Sequence, residues 1–448
     1  MPKIIILGAG LSGISTSFHL GHKNCHILEK NSYPGGHIHS EKINGFTWDE
    51  GPHVSFTKSD YVKNLFAENV GRALLEYPVK TGNYFKGTWI PHPAQSNLWA
   101  VPQPLKDKCL SDFLESRDQK LPEPKNYEDW LRLAFGNSFY EHFSRAYTEK
   151  YWTVRPKDLS TDWVGERVFY PKIEDVEHGY LAPLIEQTHY IKKIRYPENG
   201  GYFSFAHKLY NQSNISFNKE LNKISFKEKK LWFSDGSHYQ YKKLVSTIPL
   251  PVLIDKSDAP EYVKTAAEQL NCSSVLLINV TANHTTARRE NWIYVYDEDK
   301  YSTRINCTEL LSPNNAPNGK TGVQVEVYFS QYRAKAESDE HIAAMVCQEL
   351  IEMGLIESHD HIEACFTKWV QWANVIFDHD RRNSLKIIFD YLETQGMTRE
   401  SDEMNPMTNW ENKDKVKCGE ISLAGRFAQW KYYWTDDCVL RGKVLSYD

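Results

Sequence analysis

The stretch "IIILGAGLSGISTSFHL", residues 4–20, sets the reading of the whole chain. Ile4–Leu7 is a short apolar run of β-branched character. It is too short for a signal peptide's apolar core, and it leads straight into glycines, so it reads as a buried strand. Gly8, Gly10 and Gly13 follow in a Gly-x-Gly-x-x-Gly spacing, and "STSFHLGH" then reads as a helix. "CHILEK" (25–30) is a second strand, and it ends on Glu29. The order strand, glycine turn, helix, strand is a βαβ unit. Glycines at such a turn let backbone approach a pyrophosphate at a helix N-terminus, and an acid at the end of the second strand accepts ribose hydroxyls. Gly8, Gly10, Leu11, Ser12, Gly13, Glu29 and Lys30 are therefore candidate cofactor residues for a dinucleotide.

Working outward, "KNSYPGGHIHS" (30–40) puts a second glycine pair, Gly35 and Gly36, with His37, shortly after the ribose acid. A second close approach of backbone to the cofactor points to FAD, because plain NAD dehydrogenases lack that loop. The expected fold is α/β. A Rossmann-type FAD-binding domain is assembled from discontinuous segments (1–58, 195–250 and 410–448), and an inserted mixed α+β substrate domain takes 59–194 and 251–409. Residues 60–76 and 105–150 read as mostly helical, as do 338–355 and 382–396, and 275–330 as strand-like. Asp235-Gly236 signals a hairpin.

The chain has 448 residues, enough for two domains. Its net charge of -5 with mixed signs gives no electrostatic case for nucleic acid. No window of 18 continuous apolar residues occurs, so no membrane span is expected. The eight cysteines form no CxxC and no zinc spacing, so no metal is expected. Scattered thiols without an export signal suggest a reducing cytoplasm. Homo-oligomerisation is left open.

Further blocks carry a family resemblance. "DEGPHVSF" (49–56) resembles the flavin-facing loop of the UDP-galactopyranose mutase-like branch of the FAD-dependent amine oxidase and protoporphyrinogen oxidase superfamily. His53 matches that loop's histidine, and Pro52 replaces a glycine. "ISFNKELNKISF" (215–226) resembles the strand whose backbone, here Leu221, flanks the adenine. "HPAQSNLWAVP" (92–102) is similar to the segment whose glutamine, here Gln95, approaches the uracil. "YTEKYWTVRPKDLSTDWVGERV" (147–168) and "NWIYVYDEDKYSTRI" (291–305) resemble the blocks that carry two diphosphate-gripping arginines, which implies such roles for Arg167 and Arg304, beside Trp292 and Tyr294. "LAGRFAQWKYYWTDD" (423–437) is similar to the C-terminal motif. That likeness implies that Gly425 and Arg426 stand by the cofactor, that Tyr432 reaches the phosphates, and that Asp436 and Asp437 start a helix that faces the flavin. Trp430 and Trp434 are expected in the core. Asn374 falls near a position where the family carries a tyrosine, and Lys193 is the counterpart of a family asparagine.

The resemblance implies a nucleotide-diphosphate sugar as substrate and isomerisation between pyranose and furanose forms. Reduced flavin N5 attacks the anomeric carbon, with His53, Arg167 and Arg304 as the catalytic set and NAD(P)H as a candidate reductant. Two arginines and tyrosine hydroxyls suit a departing diphosphate. An oxidoreductase of amine oxidase or protoporphyrinogen oxidase type is the alternative, and a non-catalytic FAD carrier is a third class.

Overall fold

Four consecutive isoleucine and leucine side chains can all be buried only in a strand covered on both faces, and this is how Ile4–Leu7 sits. A computed structural model describes residues 4–118, 122–184, 191–400 and 416–446. Within it, Ile4–Leu7 is the central strand of a five-stranded parallel sheet. The order is Ile421–Leu423, Lys243–Ser246, Ile4–Leu7, Cys25–Leu28, Ile215–Ser216. Ile4 pairs with Lys243 on one side and Cys25 on the other. Strands far apart in the chain thus build one α/β layer. The stretch 401–415, across which the sequence reading draws its last domain boundary, lies outside the described residues.

The glycines of the first turn divide the work. Gly8 has φ +97°, and a Cβ there would meet the Thr247 hydroxyl at 2.5 Å. A Cβ on Gly13 would stand 2.1 Å from the Gly8 carbonyl oxygen, so this glycine lets the helix Leu11–Leu20 pack on its own turn. Only Gly10 is open, with nothing nearer than 4.0 Å. The helix carries buried serines and threonine on its inner side, Ser12, Ser15, Thr16 and Ser17. That small-residue face admits the C-terminal helix Thr435–Val444 at close range. Ser15 Oγ donates to the Val439 carbonyl (2.8 Å), and a Cβ on Gly442 would lie 2.7 Å from the Thr16 nitrogen.

A three-stranded antiparallel sheet, Leu221–Ser225, Lys230–Phe233 and His238–Gln240, turns at Asp235-Gly236, where Gly236 takes φ +82°. The largest sheet is mixed and seven-stranded. Its order is Ile362–Val375, Cys272–Ala282, Thr321–Phe329, Arg304–Cys307, Trp292–Val295, Thr81–Phe85, Thr88–Pro91.

Two helical expectations break at glycines. The helix Asp60–Val70 stops at Gly71 (φ +62°), whose N–H returns to the Ala67 carbonyl, and Leu74–Pro78 continues as a strand. The 105–150 stretch divides into Leu105–Asp118, Tyr127–Phe135 and a further helical run that starts after Gly136 (φ +80°). Both turns need a backbone conformation that L side chains avoid. The expected helices at 338–355 and 382–396 are Asp339–Glu352 and Arg381–Thr394.

The close approach at Gly442 predicts that Gly442→Val forces the two helices apart and lowers stability by roughly 1–3 kcal/mol. A urea midpoint equal to wild type would refute the contact.

Candidate functional site

A cavity of about 930 Å³ runs from the glycine turn to the face of the seven-stranded sheet. Gly8, Gly10, Leu11, Ser12, Glu29 and Lys30 line it from the first βαβ unit. Gly35, Gly36, His37, His53 and Leu221 line it as well. Gln95, Arg167, Trp292, Tyr294 and Arg304 join from the rest of the chain, and Gly425, Arg426 and Tyr432 from the C-terminal stretch. Residues separated by more than 400 positions therefore share one lining.

Gly13, Asp436 and Asp437 do not line it. Gly13 serves helix packing, as its neighbours show. Asp436 and Asp437 do begin a helix, Thr435–Val444, but both are buried behind the cavity wall. Lys193 is an exposed strand residue paired with Glu76 (3.3 Å), away from the lining. Asn374 is buried at the lining, 3.3 Å from the Tyr151 hydroxyl and 3.5 Å from Arg426 Nη1.

The βαβ end fits a dinucleotide. The helix Leu11–Leu20 has Gly10 at its N-cap, with no side chain on its first-turn amides. Gly35 N–H donates to the Ala9 carbonyl (2.8 Å), which holds the second glycine pair beside the first. Glu29 is fixed by the amides of Ala9 (2.7 Å, to Oε2) and Asn31 (2.8 Å, to Oε1). Each carboxylate oxygen keeps a lone pair for a ribose hydroxyl.

Besides Arg426, two arginines reach the cavity in different ways. Arg167 is buried, and its Nη2 meets Asp437 Oδ2 at 3.1 Å. Its guanidinium lies over the Trp434 ring (4.1 Å) and near the Tyr432 ring (4.9 Å). Nε and Nη1 have no hydrogen-bond partner among the described residues. Arg304 is gripped by Glu326, through Nε to Oε2 and Nη2 to Oε1. Burial opposes its charge, but Glu326 outweighs burial and holds the guanidinium firmly protonated, well above its ordinary pKa.

His53 is kept neutral. Burial lowers it to about 4, helped by the positive charges of His37, Arg426 and Arg304. Its Nδ1 lies 2.8 Å from the Gly51 carbonyl oxygen, so the neutral ring carries its proton there and Nε2 remains an acceptor. Burial also raises Tyr147, Tyr151 and Tyr328 well above 10, which keeps all three as hydroxyl donors.

Several lining residues escape a sequence reading. Trp434, expected in the core, is half-buried at the lining and stacks on Arg167, because Asp437 draws the arginine across it. Glu326 is the brace for Arg304, and a lone acid inside the apolar run "GVQVEVYF" was its readable signal. Lys368 enters through ion pairs with Glu50 (3.1 Å) and Glu41 (3.3 Å), which no local pattern announces.

The sequence signature of flavin containing amine oxidoreductases matches residues 11–443. The chain belongs to that family. It is 37% identical over 374 residues to a 1-hydroxycarotenoid 3,4-desaturase from Flavobacterium sp. (strain P99-3), covering 71% of this chain and 75% of that protein. A probable UDP-galactopyranose mutase from Klebsiella pneumoniae is 25% identical over 167 residues, covering 35% of this chain. The match spans 42% of the Klebsiella protein's length. In fold, the amine oxidoreductase chain is similar to a crystal structure of reduced UDP-galactopyranose mutase. The TM-score is 0.87 at 24% identity, covering 99% of this chain and 94% of that one. It is also similar to a putative protoporphyrinogen oxidase from Exiguobacterium (TM-score 0.70, 16% identity, 99% and 97% covered). The family implies FAD as the cofactor, and the glycine turns and Glu29 fit it. No described helix is long and apolar enough to cross a membrane.

Two outcomes are expected here. Asp437→Ala leaves Arg167 buried without its counter-ion and should cost about 3–5 kcal/mol in a denaturant titration, far beyond an exposed pair. His53 binds a proton more weakly when folded (about 4) than at its ordinary 6.5. The unfolded chain therefore takes up more protons in that window, and stability falls as pH drops through it. In flavin-free protein, His53→Gln should soften the fall in melting temperature between those two pH values, and a fall parallel to wild type would refute the assignment.

Proposed function

We propose that this flavin-containing amine oxidoreductase acts as an FAD-dependent nucleotide-sugar mutase that interconverts pyranose and furanose forms. The observation that carries the reading is Arg167, a buried arginine at the cavity with two donors unmet, beside a second arginine already braced by an acid. A ligand with two adjacent negative charges satisfies both. The overall likeness to reduced UDP-galactopyranose mutase supports it.

In this reading, Gly8, Gly10 and the first-turn amides hold the FAD pyrophosphate, Glu29 the ribose, and Gly35, Gly36 and the Leu221 backbone the flanks. When bound and reduced, FAD supplies the nucleophilic nitrogen that such isomerisations use. Arg167 and Arg304 bind the substrate diphosphate and stabilise the charge it gains as it leaves C1. Tyr294 and Tyr432 donate hydroxyls to the same group, and Gln95 and Trp292 serve the base. Neutral His53 offers Nε2 as an acceptor without adding charge beside the cofactor. The aromatic lining keeps water from the reacting carbon. NAD(P)H is the proposed reductant.

A second reading, an oxidoreductase on an apolar substrate, is favoured by two observations. One is the longer match to the carotenoid desaturase. The other is the aromatic part of the lining, with Tyr127, Phe135, Phe139 and Trp163.

Dithionite-reduced holoprotein incubated with a panel of nucleotide sugars should isomerise one of them, with no turnover when oxidised. Oxygen-dependent oxidation of a polyene or amine, with every sugar unchanged, would select the second reading. Arg304→Ala should weaken UDP binding by about ten- to a hundredfold, and unchanged affinity would remove the arginine from the phosphate site.

A further inference from the structure

Two ionisable side chains outside the cavity are buried against one loop. Lys150, 4% exposed, lies on the helix Arg145–Tyr151. Its Nζ donates to the carbonyl oxygens of Val295 (3.2 Å), Asp297 (2.8 Å) and Ser302 (2.7 Å). Glu349, also 4% exposed, lies on the helix Asp339–Glu352. Its carboxylate accepts from the amides of Tyr301 (2.7 Å) and Ser302 (2.9 Å) and from the Ser302 hydroxyl (2.5 Å). Ser302 thus meets the Lys150 nitrogen on its carbonyl and the Glu349 carboxylate on its amide, which fixes its backbone from both sides. Neither group touches the lining.

The loop 296–303 joins the strand Trp292–Val295 to Arg304–Cys307, so it connects Tyr294 to Arg304. Just past Ser302, the Thr303 amide donates to the Glu326 carbonyl (3.0 Å), and the Glu326 carboxylate grips Arg304. The helix that bears Lys150 also bears Tyr147 and Tyr151. Tyr147 meets the Tyr294 ring edge-on at 5.3 Å, and the Arg304 guanidinium lies 5.9 Å from the Tyr151 ring centre. Lys150 is therefore the buried polar tie between the tyrosine helix and the arginine hairpin, beside a more exposed one on the same helix, Arg145 to Glu298 (2.6 Å).

We infer that Lys150 and Glu349 are positioning residues that set the Tyr294–Arg304 hairpin, and through it the grip of Arg304 on an anionic ligand. An apolar residue at 150 removes the lysine donor from three carbonyls and leaves Asp297 only the longer bond from the Lys300 amide (3.4 Å), so the loop must move to meet water. A glutamine at 349 keeps size and shape but weakens the hold on two amides. The inference rests on the nucleotide reading only in its choice of UDP as probe.

The test uses flavin-loaded full-length protein: wild type, Lys150→Met, Glu349→Gln, Arg304→Ala and the double variant Lys150→Met/Arg304→Ala. Hydrogen exchange is followed on peptides covering 292–307, with a peptide covering 4–20 as the reference. UDP is titrated by flavin absorbance. Lys150→Met and Glu349→Gln should each speed hairpin exchange by about tenfold while the reference stays protected. They should also weaken UDP binding by about tenfold in the wild-type background, and Lys150→Met should weaken it by less than about twofold once Arg304 is gone. A merely structural role would not produce that non-additivity. Unchanged hairpin exchange overturns the inference, as does an equal loss of UDP affinity in the Arg304→Ala background. If Lys150→Met does not fold, Glu349→Gln, alone and combined with Arg304→Ala, decides by the same readings. If wild type binds no UDP, the nucleotide reading is what has failed, and hairpin exchange alone decides the positioning role.

Discussion

The buried contact between Arg167 and Asp437 joins two parts of the chain that lie 270 positions apart. Asp437 belongs to the first turn of the C-terminal helix, and its Oδ2 also accepts the Trp434 amide at 2.7 Å. The carboxylate therefore caps a helix and holds a guanidinium at once. That helix packs on the glycine-turn helix through Gly442, and the arginine packs on Trp434 and Tyr432. The glycine-turn end, the cavity wall and the proposed anion site thus share a single ionic joint. In low dielectric it is worth keeping only while both partners remain.

The joint also explains why the C-terminal stretch is so rich in aromatics and charge. Gly425 takes φ +110°, and a Cβ there would strike the Ser12 hydroxyl at 2.6 Å. Arg426 donates through Nε to the Tyr433 carbonyl (2.8 Å), so it braces the turn that it begins. Trp430 is fully buried, and the Arg381 side chain donates to its carbonyl at 2.6 and 3.0 Å. The stretch is a structural junction before it is a binding surface.

Much of this was legible in sequence where one residue type has one physical use. Glycine spacing after an apolar run fixed the first βαβ unit, and an acid closing the next strand placed Glu29 at the lining. What escaped depends on partners distant in the chain. Trp434 and its near neighbour Asp437 do not by themselves tell a core tryptophan from a platform under an arginine, because the difference lies in the distant Arg167, which Asp437 holds over the ring. Gly71 and Gly136 looked tolerable inside helical periodicity, yet their positive φ ends both helices. Lys193 stands near the family's asparagine in block order, but it is the exposed first residue of a largely buried strand, Lys193–Pro197, paired with Leu74–Pro78, where its neighbour is Glu76.

Charge balance around the cavity is where the two chemical readings part. An apolar substrate needs aromatic walls, and these are present, but it gives nothing to a buried guanidinium. Leaving buried donors of Arg167 unmet costs about 1–3 kcal/mol each by general experience. Arg304 differs because Glu326 neutralises it, so it tolerates either kind of ligand. Arg167 is paired too, but through Nη2 alone, and its Nε and Nη1 wait on whatever fills the cavity. A polyene cannot meet them and a diphosphate can, since its oxygens accept from a planar fork. The aromatics are compatible with both, because a nucleobase and a polyene each present a flat apolar face. Arg167 therefore discriminates where the rings do not, and it is the reason to favour an anionic substrate over an apolar one.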